Sequence, residues 1–143
     1  MSKEFYELDE TIIKNPEDLD YKRMIEATKE VIKDISDLGK VLVISRGASA
    51  ILKDKENVLR VFFSANEDER ISRAKKMHNL ESDAEAIDLL KHADHAQDEY
   101  FKKAFNLDFN DQSMYHLTLN TSNLTPEECS SIILNLSKDK LTY

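Results

Sequence analysis

The chain of 143 residues has no tryptophan, one cysteine, two glycines and two prolines. Each shortage removes a class of protein. The lone Cys129 leaves no disulfide within the chain; its helical spacing with Ile132, Ile133 and Leu136 marks a buried thiol and not a nucleophile. No apolar run approaches membrane-spanning length, and the opening MSKEFYELDE has no apolar signal-peptide core, so no membrane contact and a cytoplasmic placement are expected. A phosphate-cradling P-loop needs a Gly-rich backbone followed by Lys and Ser or Thr. Gly39 and Gly47 cannot supply one, and Lys40 follows the first of them.

What is abundant is charge. Twenty-eight acidic residues against 20 basic give a formal net charge of -8. The acids are dispersed among lysines along helical patterns, which describes a solvated surface and argues against a nucleic-acid partner. The length suits a single domain over residues 1–143.

Along the chain, Glu4–Ile13 is a short strand or an irregular opening segment. Asn15-Pro16-Glu17-Asp18 starts a helix, because Asn caps free N–H groups, Pro is tolerated in the first turn, and acids favour the positive end of the dipole. Tyr21, Met24, Ile25, Thr28, Val31, Ile32, Ile35 and Leu38 share one face of that helix, and Gly39 stops it. Val41–Ser45 and Val58–Ala65 read as strands buried on both faces, with a brief helix, Ala48 to Leu52, between them. Asn66 with Glu69, and Ser82 with Glu85, form capping boxes for the next two helices, the second of which extends to about Phe105. Tyr115–Asn120 is a third strand, and Thr125-Pro126-Glu127-Glu128 opens a final helix through Leu136. Strands alternating with helices define an α/β fold, a small doubly wound and mostly parallel sheet flanked by helices. Ligands of such folds sit beyond the carboxyl ends of the strands. Here those ends are Ser45-Arg46-Gly47, Ala65-Asn66 and Asn120-Thr121-Ser122.

Arg46 at a strand end, beside a glycine that permits close approach, suits a phosphate or a local carboxylate equally. Arg70 and Arg73 lie three apart on one helix face, where they could grip phosphate oxygens together or, more simply, pair with Glu67 and Glu69. Asp88, His92, His95 and Glu99 also share a helix face; a solvated polar face explains them better than a metal, since ligands from one helix seldom complete a shell. No nucleophile–base arrangement and no acid/base pair can be picked out, so no catalytic residue, metal or cofactor is assigned.

In order, VLVISRGASAIL, VLRVFFSANEDERISRAKK, DEYFKKAF and MYHLTLNTSNLTPEE resemble the later part of the cytidylate kinase-like family of P-loop phosphotransferases. The resemblance covers Val31 to about Leu136, and Phe5-Tyr6-Glu7 is similar to the family's second strand. It implies that Arg46 and Gly47, in place of the family's Gly-Arg-Gly-Ala, hold a monophosphate, with Ser45 replacing the first glycine. It also implies phosphate or substrate roles for Arg70, Arg73 and Asp94. Asp94, Tyr100 and Phe101 match the family's lid, but Gln97 and Asp98 stand at its arginine positions, and His116 replaces a further acid. Arginines stabilise the charge spread over a transferring phosphoryl group, and an aspartate reverses that field.

These departures imply a truncated or degenerate relative, a pseudoenzyme without transferase activity of its own, that keeps a pocket for a nucleotide or another phosphorylated small molecule. The alternatives are a protein-interaction module on a vestigial kinase scaffold, and the later part of an active nucleotide kinase whose ATP site is supplied elsewhere. In the family's topology the P-loop strand lies between the strands corresponding to Val41–Ser45 and Val58–Ser64. Its absence is expected to be met by direct closure of those two strands, by insertion of Glu4–Ile13, or by pairing of the exposed edges with a second copy or another protein.

Overall fold

The computed structural model describes residues 19–140. Their elements are α1 (Leu19–Asp37), α2 (Ala48–Ile51), β1 (Val61–Ser64), α3 (Glu67–His78), α4 (Asp83–Phe105), a 3-10 turn (Gln112–Met114), β2 (Leu117–Asn120) and α5 (Pro126–Lys140). The Asn15–Asp18 helix start and the Glu4–Ile13 segment lie outside the described residues. Contacts divide the chain into two compact units. The first takes the described part of Met1–Asp54 with Ala93–Asp111, and the second takes Lys55–His92 with the described part of Gln112–Tyr143.

In the first unit, α1 buries Tyr21, Ile25 and Ile32, a stripe at helical spacing, with Thr28 half-buried and its hydroxyl donating to the Met24 carbonyl at 2.8 Å. Val31, Ile35 and Leu38 were expected on the covered face but are exposed. The apolar stripe of α1 is therefore wider than the part that is covered. Gly39 (φ 66°) and Lys40 (φ 55°) follow the helix in left-handed conformations, the geometry of a helix stop.

Val41–Ser45 is not a strand. A β-branched run becomes a strand only when a neighbour takes its backbone hydrogen bonds. Among the described residues the sheet consists of β1 and β2 alone, so this run joins no ladder. Leu42 is 84% and Ile44 78% exposed, which corrects the expectation of a strand buried on both faces. At Ser45 the chain turns into a left-handed conformation that ends any extended run.

In the second unit, β1 and β2 pair in parallel, Val61 opposite Leu117 through Ser64 opposite Asn120. The fold is thus α/β with a parallel sheet, as the alternation of elements predicts. β1 is shorter than Val58–Ala65 and only half-buried, with Phe63 53% exposed; among the described residues it has one strand neighbour, where full burial needs more. Direct closure of Val41–Ser45 on Val58–Ser64 does not occur among the described residues. Ala74, Ala86, Met114, Leu119 and Cys129 are buried in this unit.

The caps explain where the helices begin. At α4 the Glu85 carboxylate accepts from the backbone N–H and hydroxyl of Ser82 at 3.0 Å each, while the Glu85 N–H donates to Ser82 Oγ at 3.2 Å. Those bonds, the Ser82 backbone donor first, hold the Glu85 carboxyl below its usual range. Thr125 and Glu128 form the same reciprocal box before α5, at 2.8 and 3.2 Å. Asn66 occupies the cap position of α3, but its side chain makes no cap bond and is used elsewhere. No helix of the described residues is long and apolar enough to cross a membrane.

Candidate functional site

In the first unit the chain passes from Ile44 into α2 through three successive left-handed residues, Ser45 (φ 70°), Arg46 (φ 59°) and Gly47 (φ 71°). Two of the three are not glycine, and L-residues reach this region only at a cost. The C-terminal half of α4 holds them there. The Tyr100 hydroxyl donates to the Arg46 carbonyl at 3.2 Å. A Cβ added to Gly47 would lie 2.4 Å from Phe105 Cε2 and 3.4 Å from Tyr100 Cε1, so only glycine fits beneath those rings. Phe105 cannot readily yield. Its ring packs edge-on to Tyr100 (5.6 Å, 88°) and against Phe101 (5.6 Å), which is 2% exposed and packs in turn on Phe109 (4.8 Å).

In the second unit the carboxyl ends of β1 and β2 carry a dense polar network. Asn120 Nδ2 donates to Asn66 Oδ1 at 3.0 Å, the Asn66 N–H to Ser122 Oγ at 2.7 Å, and the Ser122 N–H to Asn120 Oδ1 at 3.0 Å. Thr121 donates its N–H (2.8 Å) and its hydroxyl (3.0 Å) to the Ser64 carbonyl. Arg73 closes the network from α3. Its Nη1 donates to Thr121 Oγ1 at 2.8 Å, its Nη2 to the Thr121 carbonyl at 2.7 Å, and its Nε to Glu69 at 3.1 Å.

The expected site residues divide between the units. Arg46, Gly47 and Asp94 belong to the first, Arg70 and Arg73 to the second. Of the three strand-end segments, Ala65-Asn66 and Asn120-Thr121-Ser122 meet through the bonds just described. Arg73 makes the ion pair with Glu69 that the sequence offered as the simpler alternative, and adds a two-pronged hold on Thr121 that its spacing could not show. Arg70 is half-buried and Asp94 exposed. Asp98 Oδ1 accepts from Asn110 Nδ2 at 3.0 Å, so this carboxylate ties down the loop after α4.

Among the polar residues on the α4 face, His92 Nδ1 lies 2.8 Å from the Asp88 carbonyl, and Glu99 pairs with Lys103, which holds the Glu99 carboxyl below its usual range. Among the described residues no group of three or more His, Cys, Asp or Glu is placed to hold a metal ion. An open groove of about 620 Å³ in the second unit is lined by Asp68, Ile71, Ser72, Lys75, Leu80 and Asp83, and none of the expected site residues lines it. Lys75 is occupied by Asp83 at 2.6 Å.

Sequence reasoning missed Arg60. Its Nε donates to the Met114 carbonyl at 2.6 Å, its backbone N–H to His116 Nδ1 at 3.1 Å, and its carbonyl accepts from the His116 N–H at 2.9 Å. His116 thus helps to start the strand pair. Nothing in the spacing of residues 60 and 116 announces that contact.

The family model described as "Cytidylate kinase-like family" matches residues 2–123, and the chain belongs to that family. The match begins before Val31 and leaves out α5. No curated protein matches the chain. Among solved structures, the crystal structure of an uncharacterized protein from Eubacterium ventriosum ATCC 27560 is similar, with a TM-score of 0.73 and 17% identity over 93% of this chain and 81% of that one. At that identity the likeness shows the fold alone.

Proposed function

We propose that this cytidylate kinase-like chain does not itself transfer phosphate and that it binds a phosphorylated small molecule, a nucleotide by family likeness, at the Arg46–Gly47 turn. The observation that carries the reading is the turn itself. Its glycine is required by φ and by Phe105, and its left-handed backbone is held in place beside an arginine that matches the family's substrate-site position. Asp94, in the same unit, is the next residue proposed to contact ligand. Arg73, whose donors serve Glu69 and Thr121, is read first as a structural residue of the second unit.

Loss of transfer is supported by two features. By family likeness Asp98 stands at a lid arginine position, where a carboxylate would oppose developing phosphoryl charge, and here it is engaged with Asn110. The sequence also has only two glycines, neither in a phosphate cradle. Cytoplasmic placement is part of the same proposal. Calorimetry with phosphate, CMP and CDP tests the binding half. Arg46→Ala is expected to weaken CMP at least about tenfold, the scale of a charge-assisted contact. Affinities unchanged by that substitution reject the site. ATP-dependent formation of nucleoside diphosphate by the pure chain, abolished by Arg46→Ala, rejects the loss of transfer.

A second reading, an interaction module, is favoured by one specific observation. Val41, Leu42 and Ile44 are exposed on a segment that joins no ladder. Self-association or capture of a partner protein through this segment would be broken by Leu42→Asp, which sedimentation measures.

A further inference from the structure

We infer that Tyr100 and Phe105 are positioning residues for Arg46, so that the segment resembling a kinase lid serves here as a fixed buttress under the Arg46 turn. The inference rests on the phosphate reading of Arg46 for its consequence, but its geometry stands without it. Two independent contacts join α4 to the turn. Tyr100 donates a hydrogen bond to the carbonyl of Arg46, and Phe105 fills the space that any side chain at position 47 would occupy. Both rings belong to one aromatic cluster with Phe101 and Phe109. A lid must swing away from the site it covers. A helix whose rings are interlocked with Gly47 cannot leave without opening that cluster.

The end of the helix is secured as well. Asn106 adopts a left-handed conformation (φ 55°), with its N–H bonded to the Lys102 carbonyl at 3.0 Å, and Leu107 bonds back to Phe101 at 3.4 Å. Asn110 is then tied to both Asp98 and Asp108. The loop that follows α4 is thus bound to the helix that carries the buttress. What the buttress supplies to Arg46 is a single backbone conformation. A non-glycine residue at φ 59° lies outside the regions it favours alone, and the direction in which its side chain leaves the backbone depends on that φ being held. Preorganisation of this kind raises affinity by removing an ordering cost at binding.

The test compares Tyr100→Phe, Phe105→Leu and the unsubstituted chain by two readouts. The first is the backbone scalar coupling and amide shift of Ser45, Arg46 and Gly47 in isotopically labelled protein, which reports φ with no ligand present. The second is calorimetry with CMP. Tyr100→Phe removes one hydrogen bond and keeps the ring, and is expected to shift the Arg46 signals and weaken CMP about fivefold. Phe105→Leu is expected to do both more strongly. Arg46 signals that keep their left-handed signature in both variants overturn the buttress, as does CMP affinity unchanged in both while the unsubstituted chain binds. If the unsubstituted chain binds neither CMP nor phosphate, the phosphate reading falls, and the coupling readout alone upholds or overturns the buttress.

Discussion

The Arg46 turn and the Arg73 network immobilise an arginine by opposite means. Arg46 is held by its backbone: a tyrosine hydroxyl on its carbonyl, a strained φ, and a neighbouring glycine locked under a phenylalanine. Arg73 is held by its head group, which donates to a carboxylate, a hydroxyl and a carbonyl. The difference separates a residue fixed through its main chain from one fixed through its side chain. A guanidinium directed at three protein acceptors contributes to the junction of β2 with α3 and has correspondingly fewer donors to offer elsewhere. Aromatic packing fixes the backbone of Arg46 without using the donors of its side chain.

The largest expected effect falls on the packing half of that comparison. Gly47→Ala drives a Cβ into Phe105 at 2.4 Å and forces a left-handed alanine, so it is expected to cost about 2–4 kcal/mol in urea unfolding. A cost within measurement error would show that the turn is loosely held. On the other side, Arg73→Ala removes three hydrogen bonds from a side chain that is about half exposed, 47%. Its expected cost is about 1–2 kcal/mol, with little change in anion affinity. Loss of affinity without loss of stability would reverse the assignment of the two arginines.

A smaller effect separates the cap from both regions. The Glu85 carboxyl is held below its usual range by Ser82, so its contribution is present above the unfolded-state carboxylate pKa and is lost as pH falls through the lower folded value. Glu85→Gln should therefore be less stable than the unsubstituted chain near pH 7, and the gap should close in acid. A gap that does not narrow as pH falls below the unfolded-state carboxylate pKa would mean that the carboxylate charge is not what the cap uses.

The smallest effect is expected at Tyr21, whose buried hydroxyl has no hydrogen-bond partner among the described residues. Burial pushes its pKa up, so any ionisation in the unfolded chain destabilises the fold as pH rises past the ordinary tyrosine value. Tyr21→Phe should leave stability at pH 7 unchanged or raise it by up to about 1 kcal/mol, and should flatten the alkaline limb of the stability curve. A loss of stability at pH 7 would mean that the hydroxyl has a partner.

What was legible in the sequence was local. The caps at Ser82 and Thr125 and the glycine stop of α1 follow from residues within a turn of one another, where short-range hydrogen bonds decide, and the extent of α4 and the parallel pairing of β1 with β2 follow from helical periodicity and the alternation of elements. The Val41–Ser45 strand was misread because an apolar β-branched run carries no information about whether a neighbouring strand exists to pair with it. Asn66 was misread as a side-chain cap for a related reason: its partners, Asn120 and Ser122, lie more than fifty positions away. Gly47 was found by its family position, but its reason, the Phe105 ring, belongs to an element with no spacing relation to it.

The most direct test is a side-by-side calorimetric titration of CMP into the unsubstituted chain, Arg46→Ala and Arg73→Ala. Binding that falls at least about tenfold with Arg46→Ala and changes less than about twofold with Arg73→Ala is the predicted result. Equal loss in both variants, or affinity that survives Arg46→Ala, would contradict it.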